Sequence, residues 1–462
     1  MEELAILGGS PARLTPFPPE TSNVGEEEIA AVVQIARSGR LSMFSSPAVR
    51  QFEEEFANYI GVKYAVMTSS CTAAMHLALA AAGVGYGDEV IVPAVTYIAT
   101  PNAVMAQNSN PLFADIDLKS YNLDVRSVEA NLTPATKAIL AVDLFGNPSD
   151  KGRLMALCED HGLALIEDCA HAVGAMHQGR KVGAFGIGCF SFSEGKNMTT
   201  GGEGGMLTTD DSRIYNVARI LRHEGEVWTQ PSVSAADTRI ETFVDFMHGR
   251  RTASVGYNYR PTALQAAFGQ TQLNKVDSFN ARRIDTARIY LQQLSDVPGI
   301  VLPTLNENDV HVFNRFVLLI DSESLHISRD SFVAALVFEG VAAGVYRTAI
   351  LPVYPVFTKR EALLRGKPHP LARSYHKEEC IQHLFPKSLV FCSQNVQLPT
   401  YDGLTTLEIQ DIVAGIRKIV HWALRDEDLE RRIRTRLTRM RIRKYSGEFI
   451  YPEAIELGHS SE

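Results

Sequence analysis

From about residue 60 to residue 210 the chain alternates short apolar runs with longer stretches of helical periodicity, and this alternation leaves few architectures open. KYAVMTS, DEVIVPAVT, PLFADID, KAILAVDLFG, ALIEDCA, GCFSFS and GGMLTTDD are apolar along their length rather than at every second residue, the pattern of buried strands. Between them CTAAMHLALAAAG, VRSVEANL and DKGRLMALCEDHG read as helices. Strand-helix-strand units of this kind predict an α/β fold around a mostly parallel sheet.

A chain of 462 residues exceeds what one core usually supports, so a large domain and at least one smaller one are expected. A second pattern begins after about residue 300 with VHVFNRFVLLID, the helix SRDSFVAALVFEG and LEIQDIVAGIRKIVHWAL, with proline-rich connections around Leu351 to Lys359. The expected division is residues 1–300, with the N-terminal segment, as the large domain, 301–425 as a smaller C-terminal α/β domain, and 426–462 as a basic tail. Within that tail RRIRTRLTRMRIRK places Ile433, Leu437 and Met440 at helical spacing. The reading preferred over a phosphate site is a solvated helix whose narrow apolar stripe packs on the body or on a partner subunit.

Composition narrows function. A hydrophobic fraction of 45% and a charged fraction of 21%, with no apolar run of membrane-spanning length, predict a protein without a membrane role. The opening MEELAILGGSPARLTPFPPE carries no export pattern, which makes cytoplasm the expected location. A net charge of -8 argues against sequence-independent nucleic-acid binding. The six cysteines form no C-x-x-C pair and sit mostly in apolar stretches, so neither disulfides nor a metal site is expected.

In doubly wound sheets ligands sit beyond the carboxyl ends of the strands, and four such places here suit one cofactor. In MTSSCTAAMHLAL a strand runs straight into a helix whose first N–H groups and dipole can grip a phosphate, with Thr72 adding a hydroxyl; the plain alternative is a helix cap. IEDCAHA delivers Glu167 and Asp168 to a strand end, with His171 just after. A carboxylate there could be a turn residue, or it could keep a pyridine nitrogen protonated so that the ring withdraws electrons from a carbanion. CFSFSEGKNMTTGGEGGML sets Lys196 in a glycine- and hydroxyl-rich turn between apolar strands, where a lysine that loses its proton can attack an aldehyde to form a Schiff base. In VPAVTYIATPNAV, Tyr97 is expected to begin a helix and could lay its ring over a flat heterocycle, although many such tyrosines are core residues.

SFSEGKNMTTGGEGGM, IEDCAHAVGA, TSSCTAAMHLAL, PAVTYIATPNAV and GYNYRPTALQAA together resemble the DegT/DnrJ/EryC1/StrS family of pyridoxal-phosphate aminotransferases, from LGGSPARLTPFP to about residue 420. The resemblance implies the fold type I architecture of aspartate aminotransferase and a role in making amino sugars or aminocyclitols. It implies Lys196 as the Schiff-base lysine and proton shuttle, Asp168 on the pyridine nitrogen, His171 near the ring hydroxyl and Tyr97 stacked on the ring. Cys71, Thr72 and Ser191 match the phosphate cradle. Asn258 of GYNYR would reach the phosphate of a neighbouring subunit, which implies a homodimer with shared sites. The sequence departs from the family at Cys71, where Gly or Ala is usual, at the extra glycine of TTGGEGG, at Asp143, where histidine is frequent, and at Ala263, where an acidic residue is frequent. The last two are expected to alter the substrate pocket, and the stretch from Val227 to Ser254 is longer than in compact members.

The implied reaction is two half-transaminations. Glutamate or glutamine gives its amino group to pyridoxal 5'-phosphate, leaving pyridoxamine 5'-phosphate, and a keto sugar, nucleotide-linked or free, or a keto cyclitol then takes it. A sugar dehydratase or lyase of the same family is the nearest alternative, and a non-catalytic partner of a related enzyme is a second.

Overall fold

The computed structural model describes residues 2–18, 20, 23–228, 250–252, 254–358, 361–362, 367–368 and 378–439. Most of the stretch from Val227 to Ser254, and Met440 with the rest of the tail, lie outside the described residues. All seven apolar runs between residues 60 and 210 form strands of one sheet: β1 (Tyr64–Thr68), β2 (Glu89–Pro93), β3 (Asn110–Ala114), β4 (Thr136–Val142), β5 (Ala164–Asp168), β6 (Ile187–Ser191) and β7 (Gly205–Thr209). Their order is β1-β7-β6-β5-β4-β2-β3, and only β7 runs against its neighbours.

Continuous apolarity follows from burial on both faces. Val66, Val90, Val92, Leu140, Ile166, Cys189 and Leu207 turn one way, onto the helices α3 (Cys71–Ala81) and α4 (Ala99–Ala106). The alternate positions turn the other way. Met67, Phe190 and Met206 meet α2 (Ala48–Ile60) and α8 (Ala263–Leu273), whereas Ile91, Leu112, Ile139 and Leu165 meet α5 (Val125–Asn131) and α6 (Lys151–His161).

A second core lies around a three-stranded antiparallel sheet, β8 (Ile300–Val301), β9 (Phe316–Ile320) and β10 (Asn395–Leu398), with β9 central. It is covered by α9 (Val276–Leu294), α10 (Arg329–Phe338) and α11 (Thr406–Ala423), the last opened by a capping box between Thr405 and Glu408. Of VHVFNRFVLLID, only Phe316–Ile320 joins this sheet. Leu4 and Ile6 of the N-terminal segment are buried in this second core. The fully buried Glu339 fastens the segment by accepting from the N–H groups of Ala5 and Ala12 at 2.8 and 2.9 Å and pairing with Lys418.

The basic segment after Arg425 forms α12 (Leu429–Arg439), whose Leu429 and Ile433 are buried in the same core with Leu437 packed beside them. Several of its charges find partners: Arg432 pairs with Asp426 and Glu3, Arg434 with Glu430, and Arg431 with Asp428. The helix thus packs its apolar stripe on the body. Among the described residues no helix is long and apolar enough to cross a membrane.

Under the carboxyl ends of β4 and β5 lies a fully buried charge cluster. Lys151 Nζ sits 2.7 Å from Asp143 Oδ1 and 3.0 Å from Glu167 Oε2, with all three side chains out of contact with solvent. Ser149 donates its N–H and hydroxyl to Asp143 at 2.8 and 2.7 Å, and the N–H groups of Gly183, Phe185 and Gly186 donate to Glu167. Burial works against the Lys151 cation, but the two carboxylates outweigh it and raise its pKa. Removing the cation leaves two anions in the core, so Lys151→Met is expected to cost about 3 kcal/mol or more, read as a lower urea midpoint. An unchanged midpoint would show that the cluster contributes nothing to stability.

Candidate active site

The alternation of β5 divides its two acidic residues: Glu167 faces the buried cluster, and Asp168 faces the opposite side at the strand end. Asp168 is 5% exposed and accepts from the Thr100 hydroxyl at 3.0 Å, the Ala170 N–H at 3.1 Å and, more distantly, the Cys71 thiol at 3.8 Å. Among the described residues no cation lies within ion-pair distance of it. Burial pushes its carboxyl above the usual carboxylate range, against the pull of the Ala170 and Thr100 hydrogen bonds and of the Lys196 charge.

Lys196 follows β6 in a tightly bonded hairpin. The Phe192 and Glu194 N–H groups donate to Gly204 and Gly202 carbonyls at 2.9 Å, and Thr199 and Thr200 hydroxyls close the turn onto the Phe192 and Glu203 carbonyls. Asn314 clamps the Gly195 carbonyl at 3.2 Å, and Asn197 bonds Asn280 at 2.7 Å. Gly202, one of the two adjacent glycines of TTGGEGG, has φ +113° and donates to Thr199 Oγ1 at 3.1 Å, so the pair belongs to the turn itself. Burial first, and then the Arg315 guanidinium, bring the half-buried Lys196 amine down to about 8, with Asp168 pulling the other way. Each of the two groups acts on the other's ionisation, and the two strands they follow or end are paired in parallel, Asp168 opposite Cys189.

At the start of α3, Ser70 Oγ accepts the Ala73 N–H at 3.1 Å, leaving those of Cys71 and Thr72 at the positive end of the helix. A β-carbon on Gly205, the first residue of β7, would meet Ser70 C at 2.3 Å and Cys71 N at 2.6 Å. Only glycine lets that strand pass so close to the turn. Ser191, buried at the end of β6, is directly paired with Gly205. Thr72, Ser191 and the Cys71 backbone therefore gather at one edge, whereas the buried Cys71 side chain points to Asp168 instead.

His171 is half-buried, and its Nδ1 accepts the Phe145 N–H at 3.3 Å, which leaves the proton of the neutral ring on Nε2. Burial, followed by the cations Lys196, Arg315 and Arg347, pushes its pKa well below the usual value. Tyr97 lies two residues ahead of α4, in the turn where the Thr100 N–H bonds the Tyr97 carbonyl, so it precedes the helix rather than beginning it. It is 59% exposed. Asn258 is exposed as well, and its neighbour Tyr259 accepts the Ser69 N–H at 3.1 Å, beside the cradle.

Two expected pocket residues are elsewhere. Asp143 is fully buried against Lys151, and Ala263 is fully buried at the first turn of α8, so neither contributes a side chain to an open pocket. Asp143, Glu167 and Cys169 bring three potential metal-binding atoms together, but the Lys151 ammonium is bonded to both carboxylates there. Thr100, Arg315, Arg347 and Tyr346 were not predicted from the sequence. Of these only Thr100, one helical turn after Thr96, stood within a motif already singled out.

A model of the DegT/DnrJ/EryC1/StrS aminotransferase family matches residues 22–417. The chain belongs to this family. It is accordingly a pyridoxal-phosphate-dependent aminotransferase with the fold type I architecture. Among relatives of this DegT-family chain, the spore coat polysaccharide biosynthesis protein SpsC of Bacillus subtilis is 33% identical over 402 residues, 87% of this chain and 96% of SpsC. The structure of S. venezuelae DesV in complex with a ketimine intermediate aligns with a TM-score of 0.73 at 30% identity, over 89% of this chain and all of DesV. DesI, solved in the presence of its TDP-sugar product, aligns with a TM-score of 0.74 at 28% identity, over 93% of this chain and 99% of DesI.

The residues present suit pyridoxal phosphate. A buried carboxylate with no cation at ion-pair distance among the described residues suits a protonated ring nitrogen, and the α3 terminus with its glycine-cleared approach suits a phosphate. The lowered amine pKa leads to a measurable consequence. In cofactor-free protein the neutral amine is the nucleophile, so capture of added pyridoxal phosphate is expected to accelerate as pH rises through about 8. An inflection near the ordinary lysine value of 10.5 would contradict the burial of Lys196.

Proposed function

We propose that the enzyme transfers an amino group from glutamate or glutamine to a keto sugar, nucleotide-linked in preference to a keto cyclitol, using Lys196 and Asp168 as its catalytic pair. The observation that carries this reading is that neighbouring parallel strands deliver a buried carboxylate and a lysine of lowered pKa, each of which acts on the other's ionisation. The TDP-sugar product named for DesI supports a nucleotide-linked acceptor.

Bound pyridoxal phosphate supplies an electrophilic aldehyde carbon and an electron-withdrawing ring. Asp168, oriented by the Thr100 hydroxyl and the Ala170 N–H, would keep the proton on the ring nitrogen. Lys196 Nζ takes the proton from the donor's Cα. It returns a proton to the former carbonyl carbon of the acceptor, a double duty that a lysine poised near neutral pH can perform. With the cofactor bound, His171 would offer Nε2–H to the ring oxygen, Tyr97 would cover the ring, and Thr72, Ser191 and the N–H groups of Cys71 and Thr72 would hold the phosphate.

The chain leaves Tyr97 and Asn258 exposed, which supports a homodimer in which Asn258 reaches the partner's phosphate site. Lys196→Ala is expected to abolish turnover and the visible-edge cofactor band while leaving the circular dichroism unchanged. Asn258→Ala is expected to retain cofactor poorly. Mixed and reassembled, the two inactive variants should recover turnover, because a hybrid dimer has one site with both Lys196 and the other subunit's Asn258. Turnover by Lys196→Ala alone would refute the catalytic assignment, and failure to recover turnover in the mixture would refute the shared site.

A further inference from the structure

The turn that carries Lys196 is held from one side of α9. Asn280 and Arg283 stand three residues apart on that helix, and so on one face of it. Asn197, next to the lysine, donates from Nδ2 to Asn280 Oδ1 at 2.7 Å and to the Val312 carbonyl at 3.3 Å. Two acceptors around Nδ2 fix the orientation of the amide, so its other atom, Oδ1, is an acceptor. That atom is buried and has no hydrogen-bond donor among the described residues. Arg283 donates from Nη1 to the Asn314 and Thr400 carbonyls at 3.4 and 3.3 Å, while its Nε–H is buried with no acceptor among the described residues. The two side chains are nine-tenths or more buried, Asn197 at 3% exposure and Arg283 at 6%.

These two residues, one with a spare donor and the other with a spare acceptor, line a single cavity of about 20 Å³ together with Gly195 and Lys196. That is room for about one water molecule. The charges around it are mixed: Glu20 and Asp402 also line the cavity and would repel an anion, whereas Arg283 would repel a cation. An occupant that suits both spare groups is neutral, accepts one proton and donates another. We propose that an internal water bridges Arg283 Nε–H and Asn197 Oδ1, and that through it Arg283 is a positioning residue for Lys196. The turn is then held at two points on α9, directly at Asn280 and through water at Arg283. Arg283 braces the other flank of the lysine as well, since it bonds the backbone of Asn314, whose side chain clamps the Gly195 carbonyl. The positioning role rests on the reading of Lys196 as the reacting amine; the water does not.

The test joins crystal structures of wild-type, Arg283→Lys and Arg283→Met holoenzymes, at a resolution that shows ordered water, to single-turnover bleaching of their cofactor bands by glutamate and by glutamine. Lysine keeps the cation and methionine does not, but each sets a carbon where Nε–H stood. The wild type is expected to show one water about 3 Å from both Arg283 Nε and Asn197 Oδ1, and the variants to lose it. In whichever variants fold, bleaching at saturating donor should slow about tenfold with the half-saturating donor concentration unchanged. A wild-type structure without that water, or with Arg283 Nε bonded to a protein acceptor instead, would overturn the bridge. Variants that bleach at the wild-type rate would overturn the positioning role. The wild-type structure needs neither a variant nor turnover, so failure of the bridge is distinct from failure of Lys196-dependent transfer.

Discussion

The site depends on one carboxylate that is expensive to keep ionised. Asp168 lies at the end of a strand inside a seven-stranded sheet, buried, with hydrogen bonds from Thr100 and Ala170 and no cation within ion-pair distance among the described residues. Burial alone favours the neutral acid, so a bound group that carries a proton at that point gains most of the interaction. The neighbouring strand supplies the complementary imbalance, an amine whose burial and cationic neighbour favour its neutral form. Those two imbalances support the proposed assignment of Asp168 to a protonated ring nitrogen and of Lys196 to an aldehyde carbon.

The sheet can afford this because its other polar burden is closed. Glu167, next to Asp168 in sequence but on the opposite face, is satisfied by Lys151 and three backbone N–H groups. Asp143 completes that cluster, and its N–H donates to the Asp168 carbonyl at 3.0 Å, so the neutralised cluster on one face braces the backbone that presents Asp168 on the other. A frequent family histidine is thus replaced by half of a buried ion pair, and the pairing explains how an aspartate is held there.

The main sheet was legible because burial on both faces makes each strand continuously apolar, a pattern short enough to separate strands from helices. The placement of Lys196 and Asp168 at or just beyond the ends of neighbouring strands was legible, because each stands where an apolar run gives way to polar residues. Other features left no such trace. Lys151, in DKGRLMALCEDHG, reads like any solvent-facing helical lysine, since its carboxylate partners are remote in sequence or across a turn. Arg315 and Arg347 come from the part of the chain around the second sheet, where nothing local shows that the fold brings them to Lys196 and His171. Tyr97 was expected to begin α4 but precedes it by two residues, because the apolar run gives no local sign of where the strand-to-helix turn ends.

The central claim is that Asp168 fixes a proton on the cofactor's ring nitrogen. Nitrogen-15 resonance of holoenzyme reconstituted with ring-labelled pyridoxal phosphate reads that proton directly. The account predicts a protonated ring nitrogen at neutral pH in the wild type and an unprotonated one in Asp168→Asn with the cofactor still bound. An unprotonated nitrogen in the wild type, or the same protonated shift in both proteins, would contradict it.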